Sequence, residues 1–131
     1  MAVVALLSLP APVALAQNAA PGPSGPPLSA GYKFSEVSGE ELYANACQGC
    51  HMPDGKGAIG AGAYPSLATD TALAASGYPV HVVVDGQRAM PPLGDMMSDG
   101  QIAAVVNYVR THFGNAYTDA ITAEDVKAVR R

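Results

Sequence analysis

The stretch Cys47-Gln48-Gly49-Cys50-His51 decides how this chain is read. Two thiols stand three positions apart, and an imidazole follows at once. The two intervening residues turn the chain enough to present both sulfurs to one edge, and Gly49 permits a close backbone approach. What flanks the stretch matters as much. Upstream, Ser38-Gly39-Glu40-Glu41 has the form of a capping box, in which Ser38 caps the Glu41 amide and Glu41 reaches back. It opens a helix expected over 39–47, with Leu42, Tyr43 and Ala46 on one face, that runs directly into Cys47. Downstream, residues 53–66 are rich in Gly, include two Pro and read as loop.

Three chemistries compete for such a pair of cysteines. A thioredoxin-like C-x-x-C wants a strand before it and a helix after it. Here the helix comes first and the loop second. A structural zinc site draws its remaining ligands from a second Cys or His pair, but the chain has only two Cys, and His81 and His112 stand apart. A disulfide between residues three apart would close only a tiny loop. The pattern C-x-x-C-H is the attachment signal for haem c. Its spacing lets two thiols reach two vinyl groups on neighbouring pyrroles, and it sets His51 over the iron. One covalently bound haem c, held through Cys47 and Cys50, is therefore the expected cofactor.

A haem held by one histidine has either a second protein ligand or an open site. Methionine ligation raises the potential and suits electron transfer. Met52 adjoins His51 and cannot reach the opposite face. Met90 lies in Arg88-Ala89-Met90-Pro91-Pro92, where proline fixes φ and disfavours helix before it. That stiff, extended loop is the expected ligand loop, with His51 and Met90 as the iron ligands. Met96, Met97, His81 and His112 remain alternatives. Apolar cover for the haem is expected from Leu67, Leu73, Leu93 and Ile59, and polar contacts to a propionate from Tyr64, Tyr78 and Arg88.

The rest of the chain bounds the possibilities. Its 131 residues suggest one domain, 49% of them hydrophobic. The net charge is −4, and the only basic run is Arg130-Arg131, which argues against nucleic acid. An acidic carrier is expected to dock on a basic patch of a partner. Residues 1–16, MAVVALLSLPAPVALA, read as a signal peptide ending in an A-x-A-like cleavage site, although no Lys or Arg precedes the apolar stretch. A retained anchor is the competing reading. Residues 17–31 read as a Pro/Gly-rich leader. The domain is expected over 32–116, followed by a C-terminal helical tail over 117–131. Within the domain a short helix is expected at 69–76, and a helix over 79–84 ended by Gly86. A long helix over 99–113 opens on a Ser98/Gln101 capping box, with Ile102, Val105, Val106, Val109 and Phe113 on its buried face. Thr122 opens a last helix.

On Cys47-x-x-Cys50-His51 and Met90-Pro91, over roughly residues 36–115, the chain resembles a class I c-type cytochrome. The resemblance implies a small all-α fold of three to five helices wrapped around one haem, with an N-terminal and a C-terminal helix crossing beside it. Gly39 or Tyr43 and Tyr108 are candidates for that crossing. It also implies that a proline carbonyl, here Pro65, accepts a hydrogen bond from the axial histidine. Asp54-Gly55-Lys56-Gly57, Tyr64-Pro65-Ser66-Leu67 and Ser98 through Arg110 resemble cytochrome c subunits of bacterial periplasmic dehydrogenases, some of which carry three haems. The resemblance implies a periplasmic, one-electron carrier with no catalysis of its own. Its partners would be a donor dehydrogenase and an acceptor oxidase or other cytochrome, and any membrane association would come through such a partner. The competing readings are a ligand-binding haem with an open sixth position and a C-x-x-C module without haem.

Overall fold

The computed structural model describes residues 32–60 and 62–130. The signal peptide and leader expected over 1–31 lie outside them. The regular elements of the described chain are helical apart from one minimal hairpin. The first helical run joins α1 (Gly39–Leu42), a π-helical turn (Tyr43–Cys47) and α2 (Gln48–His51). It therefore extends through the cysteine stretch to His51, and the loop begins at Met52, whose φ is +66°. The Ser38 side chain caps the Glu41 amide as expected, but Glu41 answers the Ser38 hydroxyl rather than its backbone N–H.

After the loop come a single 3-10 turn (Thr71–Ala74), α3 (Gly77–Asp85), α4 (Asp99–Thr111) and α5 (Ala123–Val129). The helix expected over 69–76 is only that 3-10 turn. The Asp70 side chain accepts from the Ala72 amide, and Ala75 is already extended. The valine-rich 79–84 stretch is helical despite its β-propensity. Val80 and Val84, one turn apart, are both buried, and Gly86 ends the helix at φ +74°. Both halves of the Ser98/Gln101 capping box are present. The region expected to be loop contains a two-stranded antiparallel ladder, β1 (Ala58–Ile59) against β2 (Ala63–Tyr64).

α1 and α4 cross at backbone distance. A Cβ on Gly39 would lie 2.3 Å from the Ala104 carbonyl oxygen and 2.7 Å from Tyr108 Cβ, so any larger residue would push the helices apart. Tyr43, Tyr108 and Phe113 close the crossing, with ring centroids 4.8–5.7 Å apart. Below it lies the apolar core: Leu42 from α1, Val80 and Val84 from α3, and Ile102, Val105, Val106 and Val109 from α4. Ile121 and Val126 belong to the same core. The segment set apart as a tail thus supplies a helix that packs on α3 and α4. Among the described residues no helix is long and apolar enough to cross a membrane.

Candidate functional site

His51 ends α2 and is buried. Its Nδ1 lies 2.9 Å from the Pro65 carbonyl oxygen. A carbonyl can only accept, so this bond puts the ring proton on Nδ1 and leaves Nε2 as a lone-pair donor. A histidine fixed in this way is both oriented and made more basic toward a metal.

The backbone that brings Pro65 to His51 depends on two glycines. Gly57 donates its N–H to the His51 carbonyl at 3.0 Å with φ +66°, and a Cβ there would lie 2.1 Å from the Tyr64 carbonyl oxygen. Gly55, at φ +70°, lies under the Phe113 ring, and its carbonyl accepts from the amides of Leu67 and Ala68. Asn115 holds the far side. Its Nδ2 donates to the Leu67 and Val109 carbonyls at 2.8 and 2.9 Å, and its Oδ1 accepts from the Asp70 amide at 3.0 Å. The C-terminal end of α4 is thereby tied to the strand of chain that carries Pro65.

Cys47 and Cys50 are both free thiols on the same helical run as His51. Cys50 is exposed and Cys47 half-buried. Burial pushes the Cys47 thiol up to about 12, with the neighbouring Cys50 a second cause. Burial likewise pushes the Tyr43 phenol up to about 12, helped by Cys47, Tyr108 and Asp54, and this neutral hydroxyl donates to the Met52 carbonyl at 2.7 Å. Among the described residues no three His, Cys, Asp or Glu side chains gather as a metal-holding group. Two thiols one turn apart, followed by an imidazole with a free lone pair, are instead a donor set that fits a covalently attached haem c.

The other candidate ligands separate by environment. Met97 is buried in the apolar core, and Met96 packs against that core. His81 is exposed and pairs with Asp85 at 2.8 Å. His112 is exposed, bonds the Tyr108 carbonyl and stacks on the Tyr108 ring. Met90 is half-buried and closes a tight turn in which it and Gln87 exchange two backbone hydrogen bonds of 2.9 and 3.0 Å. Of the expected apolar cover, Leu73 and Leu93 are buried and Leu67 is half-buried. Ile59 is 95% exposed on the small hairpin. Tyr64 and Tyr78 are exposed, and Tyr78 donates to Gln87 at 3.0 Å. Arg88 is exposed in the turn between Gln87 and Met90, with φ +54°.

Two residues that support the site were given no structural role from the sequence. One is Asn115, which ties α4 to Leu67 and Asp70. The other is Arg110, only 1% exposed, whose Nε donates to the Leu73 carbonyl at 2.9 Å and whose Nη2 meets Asp119 at 2.6 Å.

Residues 35–109 match the family model described as cytochrome c oxidase, cbb3-type, subunit III. The fructose dehydrogenase cytochrome subunit of Gluconobacter japonicus is 36% identical over 109 residues, covering 72% of this chain and 22% of that protein. The cytochrome c subunit of the quinone alcohol dehydrogenase of Gluconacetobacter polyoxogenes is 33% identical over 121 residues, covering 82% and 25%. Cytochrome c-552 of Thermus thermophilus is 32% identical over 123 residues, covering 79% and 81%. The chain thus spans a quarter or less of these two dehydrogenase subunits, but most of the cytochrome c-552. With its single attachment motif and its crossed helices, the chain belongs to the c-type cytochrome family as a class I-like, one-haem domain.

Proposed function

We propose that this protein carries single electrons on one haem c, attached through Cys47 and Cys50 and ligated by His51 and Met90. Its donor would be a dehydrogenase in the periplasm. The observation that carries the reading is the His51 Nδ1–Pro65 bond, because it leaves Nε2 free on the residue that follows the two thiols. When bound, the haem supplies a one-electron ferric/ferrous couple.

The protein's residues give that couple its character. The two thiols tether the group, so it is not lost between partners. His51, made more basic by the Pro65 carbonyl, is the stronger donor. Met90 is the weaker one, and its thioether raises the potential and closes the sixth position to small ligands. Leu67, Leu73 and Leu93 supply an apolar surround that disfavours the more highly charged ferric state. Arg88, Tyr64 and Tyr78 are the polar groups offered to the propionates. With His51 and Met90 both holding the iron, the chain would have no substrate chemistry of its own.

The dehydrogenase assignment is supported by the cytochrome subunits of fructose, gluconate and alcohol dehydrogenases among the relatives. It is tested by mixing the oxidised protein with a purified periplasmic dehydrogenase of this kind and following haem reduction. Reduction that depends on both dehydrogenase and substrate supports the reading; none with any such enzyme contradicts it.

A further inference from the structure

The segment that follows Met90 is gripped from two sides. On one side α3 takes it: the Leu93 amide donates to the Val83 carbonyl at 2.9 Å and the Gly94 amide to the Val84 carbonyl at 3.2 Å. On the other side stands Arg130, just past the end of α5. Its Nη1 donates to the Gly94 carbonyl at 2.6 Å and its Nη2 to the Met97 carbonyl at 2.7 Å, while its Nε meets the Asp99 carboxylate at the start of α4. One planar guanidinium therefore joins α5, α4 and the loop. A lysine has the charge but not this rigid fork.

Gly94 is enclosed between the two grips. A Cβ there would lie 2.8 Å from the Val84 carbonyl oxygen and 3.3 Å from Arg130 Nη1. Only Pro91, Pro92 and Leu93 separate Gly94 from Met90. The two prolines fix φ, so this link passes displacement on rather than absorbing it. At its other end the Gln87–Met90 turn closes against Gly86, where a Cβ would lie 2.7 Å from the Met90 carbonyl oxygen.

We propose that Arg130 is a positioning residue for Met90: its fork on the Gly94 and Met97 carbonyls fixes the back of the loop and so sets how firmly the Met90 thioether is held on the haem iron. The inference rests on Met90 being the axial ligand.

The test uses the full-length, haem-loaded protein. The readouts are carbon monoxide association with the reduced form, the ferric thioether-to-iron charge-transfer band and the melting temperature. Arg130→Ala is expected to speed carbon monoxide association roughly tenfold, since losing charge-assisted bonds of this kind shifts an equilibrium by about that factor or more, and to weaken the band. Val126→Ala is the control, because it loosens the packing of α5 without touching the fork. It is expected to lower the melting temperature and leave association unchanged. If Arg130→Ala is poorly produced, Arg130→Lys carries the same expectation, because it keeps the charge and loses the fork. Association in the Arg130 variants no faster than in Val126→Ala overturns the proposal, whatever the melting temperature does. Met90→Ala separates the two levels. If it binds carbon monoxide fast while the Arg130 variants do not, only the positioning role fails. If the unmodified protein already binds as fast as Met90→Ala, the ligand assignment fails and the positioning role with it.

Discussion

Nδ1 of His51 and the carbonyl oxygen of Pro65 are 2.9 Å apart, joined across a loop of fourteen positions. That bond sets the ring's tautomer and its tilt. It exists because Gly57 lets the intervening chain pass close under Tyr64 and Pro65.

Gly57→Ala is therefore expected to weaken the bond. The residue sits at φ +66° and its Cβ would overlap the Tyr64 carbonyl oxygen. The left-handed conformation alone costs an L-residue about 1–2 kcal/mol, and the overlap adds to it. A less basic His51 stabilises the ferric state less, so the reduction potential should rise. Voltammetry and thermal melting of the variant check both effects; an unchanged potential would mean that the Pro65 bond does not tune the ligand.

The helix crossing should be equally intolerant. Gly39→Ala places a methyl 2.3 Å from the Ala104 carbonyl oxygen. Separating α1 from α4 to make room should destabilise by about 1–3 kcal/mol, the usual cost of overpacking. Denaturant unfolding measures this directly, and a loss well under 1 kcal/mol would show that the crossing adjusts freely.

Arg110 and Asp119 predict an acid dependence. The Arg110 guanidinium hydrogen-bonded to Asp119 holds that carboxyl below its ordinary value of 3.8. A depressed folded-state pKa means the unfolded state binds the proton more readily. The stabilisation is present above 3.8 and is lost as the pH falls through the lower folded value. Asp119→Asn should thus melt earlier than the unmodified protein at pH 7, and the gap should shrink below pH 3.8. A gap of equal size at both pH values would assign the effect to something other than this pair.

Much of the site could be read from the chain because its parts are contiguous. Cys47, Cys50 and His51 lie on one helical run, and the Ser98/Gln101 cap and the α4 apolar face repeat at helical spacing. What could not be read depends on distant partners. Arg110 looks like an exposed helix residue until Leu73 and Asp119 arrive to satisfy its nitrogens. Asn115 gains its meaning from Leu67 and Asp70, more than forty positions away. The Ala58–Ile59 ladder is too short to show alternation within a glycine-rich stretch. α5 is seven residues long and fully buries only Val126, so its pattern was too sparse to mark it as core.

The ferric absorption spectrum of the purified, haem-loaded protein, recorded beside that of Met90→Ala, tests the His51/Met90 electron-carrier reading most directly. The thioether-to-iron charge-transfer band should be present in the first and absent in the second, with a lower potential in the variant. A protein that lacks the band from the start and binds carbon monoxide readily when reduced would contradict it.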